Sequence, residues 1–249
     1  MEYTDIIMPV YNCEKYIKKA IESVKKQTNK NWRLIIIDDL STDNTIKEIN
    51  NSIKDIKEKV LLLKSDKHNG VAKTRNIGIE KSTNRYIAFL DADDQWKEDK
   101  LEKQIDFMKK NKYSFTYTQY TYLKDEKEKK VKTFPNSLNY KQALKNTYIL
   151  TSTVMIDTAQ ITKEYIYMPN VESEDTATWW NILKKGYIAK GLKENLTIYR
   201  ITKKGLSSNK FKNLKRTWNL YRKQEKLSFI KTIYYFTNYI INAIKKRII

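Results

Sequence analysis

The sequence predicts an α/β fold with a parallel sheet in its first part, flanking helices and a C-terminal helical extension. Three observations carry this. β-rich and helical runs alternate over the first ninety residues, the pattern of βαβ units. Two of the predicted strands end in carboxylates, Asp38-Asp39 and Asp91-Ala92-Asp93-Asp94, where open parallel sheets bind ligands. The last fifth of the chain is basic and carries an apolar stripe at helical spacing.

The elements follow in order. Ile6 to Val10 is a short apolar strand containing Pro9, and Ile17, Ala20, Ile21 and Val24 recur at helical spacing. Arg33 to Asp39 reads as a second strand, and Ser41-Thr42-Asp43-Asn44 starts a helix expected to run to about Ile56. Val60 to Leu63 is a third strand, and the turn His68-Asn69-Gly70 leads into a helix carrying Ala72, Arg75 and Ile79. Tyr86 to Leu90 is the fourth strand, with a helix expected from Trp96. Beyond it, Tyr113 to Tyr122 alternates aromatic and polar residues as a half-buried strand does. Lys124 to Lys130 reads as a charged turn, with Val131 to Phe134 returning as a hairpin. Thr151 to Ile156 reads as a strand, and Glu174 to Lys185 as a helix ended near Gly186. Tyr187 to Leu192 and Leu196 to Tyr199 read as two short strands. The expected division is 1–95, a lobe at 96–205 that packs onto the first sheet, and a basic amphipathic helical tail from 206 to 249.

At 249 residues, 40% hydrophobic and 31% charged, the chain is long enough to bury a sizeable core. One cysteine, Cys13, excludes a disulfide scaffold and suits a reducing compartment, and the lone His68 argues against a histidine-rich zinc site. The start, Met1 to Asp5, has no basic region before an apolar stretch, so no signal peptide is expected. The formal charge is +20, and residues 201–249 hold thirteen Lys or Arg against the single acid Glu225. Such a field attracts polyanions, either nucleic acid or an anionic lipid surface.

Three carboxylates within four positions repel one another unless a cation compensates, most often Mg²⁺ or Mn²⁺ beside a phosphate. An acidic turn capping the next helix is the other reading of the same residues. Five motifs stand in one order: Met8-Pro9-Val10-Tyr11-Asn12, Asp38-Asp39 through Thr45, Asn69-Gly70 through Gly78, Asp91-Ala92-Asp93-Asp94, and Glu174-Asp175. Together, over roughly residues 4 to 200, the chain resembles the family 2 glycosyltransferases, inverting enzymes of the GT-A fold, a Rossmann-like mixed sheet with flanking helices.

The resemblance implies roles. Pro9, Val10 and Tyr11 line the base of a nucleotide-diphosphate sugar, with Tyr11 stacking on it, and Asp39 accepts a hydrogen bond from the base, commonly uracil. A helix-capping network is the alternative for Asp39. Arg75 pairs with the diphosphate or with the acidic cluster. Asp91 lies near the ribose, Ala92 beside the nucleotide sugar, and Asp93 and Asp94 on Mn²⁺ or Mg²⁺. Asp175 is the base that deprotonates the acceptor hydroxyl, and Glu174, Trp179, Arg200 and Lys203 are candidate acceptor or diphosphate contacts.

Two departures matter. The family's late Tyr-Arg-x-His is here Tyr199-Arg200-Ile201-Thr202, so the metal is expected to have fewer protein ligands. The Gln-x-x-Arg-Trp signature of processive synthases is absent, so one addition per encounter is expected. In the tail, Leu227, Ile230, Ile233, Tyr234, Ile240, Ile241 and Ile244 form an apolar stripe bracketed by cations. It suits a helix lying on a membrane surface, a helix packed on its own domain remaining open. The expected acceptor is a lipid-linked saccharide at the inner face of a bacterial membrane, in surface polysaccharide or lipopolysaccharide (O-antigen) synthesis. Two rivals are weaker. A sugar-nucleotide pyrophosphorylase wants a Gly-rich basic loop after the first strand, and a nucleic-acid-binding protein wants a recognisable binding module; neither is seen, and no nucleic-acid partner is expected.

Overall fold

The computed structural model describes residues 2–124, 127–132, 135–146, 148–201 and 210–248. Strands β1 (Thr4–Val10), β2 (Trp32–Asp38), β3 (Val60–Lys64) and β4 (Tyr86–Phe89) pair in parallel in the order β3-β2-β1-β4. Successive side chains of a strand point to opposite faces. So Ile6, Met8, Leu34 and Ile36 build one core with helix α1 (Ile17–Lys25), while Ile7, Ile35 and Ile37 build the other with helix α3 (Val71–Lys81). Such double burial explains why these strands read as continuous apolar runs. Helix α2 (Thr45–Ser52) stops short of the expected Ile56, and a 3₁₀ turn at Lys57–Lys59 leads into β3. The chain passes from β1 to β2 to β3 on one side and returns to β4 on the other. That reversal opens a crevice at the carboxyl ends of β1, β2 and β4.

Gly78 lets α3 sit close on this sheet. A Cβ there would lie 2.6 Å from Ile7 Cγ2 and 2.9 Å from Ile37 Cδ1, both buried. Gly78→Ala is therefore expected to cost about 1–3 kcal/mol of overpacking, more than the roughly 1 kcal/mol that alanine gains in helix propensity. A melting temperature lowered by a few degrees checks this, and a rise contradicts it.

The second half continues the same sheet across residue 95. β5 (Gln95–Trp96) pairs antiparallel with β10 (Ala189–Arg200), and β9 (Met155–Asp157) pairs antiparallel with β4. β6 (Phe115–Lys124) lies between β9 and β10, so the full order is β3-β2-β1-β4-β9-β6-β10-β5. This is the mixed sheet with flanking helices that was expected.

Several local expectations change. Trp96 is a strand residue whose Nε1 donates to the Ser152 carbonyl, and helix α4 begins at Lys100 (Lys100–Asn111). The charged turn is largely a strand, β7 (Lys127–Lys132), because β6 offers an open edge to pair with; 133–134 lie outside the described residues. Thr151–Thr153 forms a buried 3₁₀ turn before β9, although its β-branched composition suggested a strand. The two short strands after Gly186 are one, β10, whose register with β6 shifts between Leu192 and Thr197. There the ladder bulges.

β8 (Ser137–Leu138) pairs with β10, and the short helices α5 (Tyr140–Ala143) and α6 (Lys163–Ile166) complete this half with α7 (Glu174–Lys184). At the end of the chain come α8 (Lys210–Asn219), a π-helical turn (Leu220–Gln224) and α9 (Phe229–Ile248). Trp180 stacks on Tyr221 with ring centroids 5.3 Å apart, which fastens the tail to the domain.

Candidate active site

The loops after β1 and β2 are stitched together across the crevice. Asn12 N donates to Ser41 Oγ (2.9 Å), and Asn12 Oδ1 accepts from Thr42 N (2.8 Å). Both loops use left-handed backbone at non-glycine residues, Asn12 (φ 46°) and Leu40 (φ 69°), strain of the kind that clusters at functional sites. Pro9 and Val10 are buried within β1, so their side chains face the core and not the crevice; a ligand meets this strand through its backbone and through Tyr11. Tyr11 is 47% exposed, and its ring lies 4.3 Å from that of His68.

Asp39 forms the capping network. Its Oδ1 accepts from Asn69 N and its Oδ2 from Gly70 N, both at 2.8 Å, and His68 Nδ1 stands 2.9 Å from Oδ2. Gly70, at φ 82°, makes the turn that aims those amides and starts α3. Oδ1, which accepts from Asn69 N alone, keeps a further lone pair for a ligand. His68 was missed as a site residue; its place next to Asn69-Gly70 was the available signal.

α3 supplies the central cation. Arg75 is 4% exposed; its Nη2 donates to Asp91 Oδ1 and its Nη1 to Glu174 Oε1, both at 2.6 Å. Of the two partners open to it, the structure shows the acidic cluster. Burial works against the guanidinium charge, but Asp91, Glu174 and Asp175 outweigh it and hold its pKa above the usual arginine value. Asn76, the next residue, exchanges hydrogen bonds with the Met168 backbone (2.8 and 2.7 Å), so α3 grips the segment leading to α7.

Asp91, Asp93 and Asp94 divide sharply. Asp94 is buried, and its oxygens accept from Ser152 Oγ (2.6 Å) and Arg200 N (2.9 Å). It braces the end of β4 against β10, whereas Asp93 is left nearer the crevice. Ala92 is likewise buried in the core, leaving its backbone for any ligand contact. Asp93 is half-buried, and burial followed by the neighbouring Asp91 charge pushes its carboxyl up to about 6. Ser152, another site residue missed from sequence, also accepts from Asp91 N at 3.0 Å. Arg200 lies beneath this loop, its Nε donating to the Asp93 carbonyl (3.2 Å) and its guanidinium 4.9 Å from the Tyr16 ring.

Across the crevice, α7 begins after Ser173, a left-handed residue (φ 62°). Asp175 Oδ2 accepts from Thr151 Oγ1 (3.1 Å) and Oδ1 from Thr176 N (2.6 Å), which fixes the carboxylate. Burial, followed by the Asp175 charge, raises the pKa of Glu174. Glu174 is spent on Arg75 and is no free ligand contact. Trp179 is 1% exposed between Phe89 and Phe115 (centroids 5.7 and 5.6 Å), a core residue that no sugar reaches. Lys203 lies outside the described residues.

Among the described residues, no cluster of three or more His, Cys, Asp or Glu side chains is arranged to hold a metal by itself. The donor set nevertheless fits Mn²⁺ or Mg²⁺. Among the described residues no ion pair joins Asp93 to a side-chain cation, Asp91 beside it gives only Oδ1 to Arg75, and such ions usually take one or two carboxylates plus substrate phosphates and water.

Comparison with known proteins places the chain in a family. Residues 5–168 match the family described as Glycosyl transferase family 2. The chain is 42% identical over 246 residues to the putative teichuronic acid biosynthesis glycosyltransferase TuaG of Bacillus subtilis, covering 98% of this chain and 96% of that protein. It is 40% identical over 220 residues, 88% of this chain and 86% of the other, to the Escherichia coli UDP-Glc:alpha-D-GlcNAc-diphosphoundecaprenol beta-1,3-glucosyltransferase WfaP. A solved mannosyltransferase of Pyrobaculum calidifontis, in complex with GDP-Man and Mn²⁺, superposes with a TM-score of 0.71 at 14% identity, covering 91% of this chain and 65% of that one. The fold is GT-A, and the chain belongs to glycosyltransferase family 2.

Proposed function

We propose that the protein transfers one sugar, with inversion, from a UDP-sugar to a lipid-linked saccharide in the synthesis of a bacterial surface polysaccharide. One observation carries this reading: Arg75 holds Asp91 and Glu174 on the two ends of one guanidinium. It thereby places the donor-side carboxylates and the neighbouring Asp175 on opposite walls of one crevice. The name of WfaP supports the lipid-linked acceptor class and the uracil base, and that of TuaG supports the synthesis of a polysaccharide. The archaeal neighbour holds a guanine nucleotide, so the fold alone does not select the base.

In this reading Tyr11 stacks on the base, Asp39 accepts its N–H, and Asp91 meets the ribose. Asp93 would hold the divalent cation, with Asp91 beside it. Bound there, a divalent ion supplies positive charge to the diphosphate as it departs. Asp175 takes the proton of the acceptor hydroxyl while that oxygen bonds to the anomeric carbon and the carbon–phosphate oxygen bond breaks. Attack opposite the leaving group inverts the anomeric centre. Arg75 and Arg200 hold the acidic loops in place and touch no reacting atom.

UDP release from UDP-glucose and UDP-N-acetylglucosamine, with a lipid-diphosphate-linked N-acetylglucosamine as acceptor, tests the proposal. Acceptor-dependent release that stops on chelation of divalent ions is expected. Equal release without acceptor, or transfer of several sugars to one acceptor, contradicts it.

A further inference from the structure

Helix α9 is apolar on two faces, and only one of them is covered. Its inward face packs on the domain: Thr232 is fully buried, and the Phe236 ring stands 5.1 Å from Trp218. Glu225 anchors the preceding turn, accepting from Tyr140 Oη and pairing with Lys184 Nζ at 3.0 Å. A helix apolar all round is ordinarily buried all round. Here Ile230, Ile233, Tyr234, Ile241 and Ile244 recur at intervals of three, one, seven and three residues, which places them within one outward stripe. All five are exposed, Ile230 at 81%.

We infer that this stripe is a docking face for an anionic lipid bilayer, on which α9 lies parallel to the surface. Among the described residues no helix is long and apolar enough to cross a membrane, so α9 rests on one. Exposed Lys226 and Lys231 flank the stripe, and the last turn carries Lys245, Lys246 and Arg247. Apolar and aromatic residues on one face with cations at its borders are what an interfacial helix presents to anionic headgroups. A second copy of the chain is the weaker occupant, because the segment from residue 201 carries thirteen cations against one acid and would face its own charge. Nucleic acid would neutralise the cations and leave the isoleucines in water.

The face is joined to the crevice. Trp218 of α8 packs on Phe236, and Arg216 of the same helix lies 3.6 Å from Glu172, three residues before Asp175. Seating α9 on a bilayer thus holds the acceptor side of the site near lipid-borne substrate. That consequence rests on the proposed acceptor; the docking face itself does not.

Flotation of the full chain with vesicles of phosphatidylcholine, alone or mixed with phosphatidylglycerol, is the test. Wild type is expected to float with the anionic vesicles and to be released by salt. The triple variant Ile230→Ser, Ile233→Ser, Ile241→Ser, altering exposed residues, is expected to bind at least about a hundredfold more weakly with an unchanged melting temperature. Lys226→Glu with Lys231→Glu is expected to bind roughly tenfold or more weakly, which covers the case of a triple variant that folds poorly. Wild type that ignores phosphatidylglycerol, or a folded triple variant that floats like wild type, overturns the inference. So does a wild-type dimer that the triple variant dissolves. A chain that floats but gains no thermal stability from any nucleotide would overturn the proposed donor and leave the docking face standing.

Discussion

Replacing Asp175 with asparagine is expected to lower the transfer rate by about 10²–10⁴-fold, the contribution of a positioned general base. The fold should survive, because asparagine keeps the size of the side chain, its Oδ1 can still accept from Thr176 N, and its Nδ2 can donate to Thr151 Oγ1 once that hydroxyl turns. UDP binding should also survive, since Asp175 stands on the acceptor wall. The loss should therefore appear in kcat while the affinity for UDP stays constant. A steady-state assay beside a nucleotide titration separates the two. Near-wild-type turnover would remove Asp175 from the mechanism and return attention to the other carboxylates of the crevice.

Arg75→Met is expected to cost about 3 kcal/mol or more of stability, because it strands Asp91 and Glu174 as partly buried charges without a partner. In a chain of this size that lowers the melting temperature by roughly 6–12 °C. Arg75→Lys should rescue little, since one ammonium cannot make the two-ended contact of a guanidinium. Adding Glu174→Gln to Arg75→Met should recover part of the loss by removing one stranded charge, a coupling that a double-mutant cycle measures. A melting temperature unchanged in Arg75→Met would show that the bridge between the two halves carries no weight.

The parts of this architecture written locally were legible in the sequence. β1, β2 and β4 are buried on both faces and read as apolar runs, and Asn69-Gly70 announces the turn before α3. The acidic strand ends were legible for the same reason. The division of labour among Asp91, Asp93 and Asp94 was not. Asp94 is withdrawn from the crevice by Ser152 and by the Arg200 amide, partners that lie 58 and 106 residues along the chain. No spacing rule reaches that far. Trp179 could not be placed from sequence because an aromatic one turn beyond a candidate base suits a core at least as well as a sugar platform, and only the positions of Phe89 and Phe115 decide. β7 was hidden by its charges, since pairing to the open edge of β6 overrode its composition. The tail combines both outcomes: the stripe read from the sequence was real, and folding divides it between the domain and the outward face.

Thermal unfolding with UDP, GDP, CDP and dTDP, each with and without Mn²⁺, on wild type and Asp93→Asn, probes the donor site and its metal-binding carboxylate together. A ligand that binds only the folded state raises its melting temperature. A rise with UDP that requires Mn²⁺ is expected in wild type, and its loss in Asp93→Asn. A rise independent of the metal, or one that survives in Asp93→Asn, would contradict the assignment of Asp93. No rise with any of the four would contradict the donor site itself.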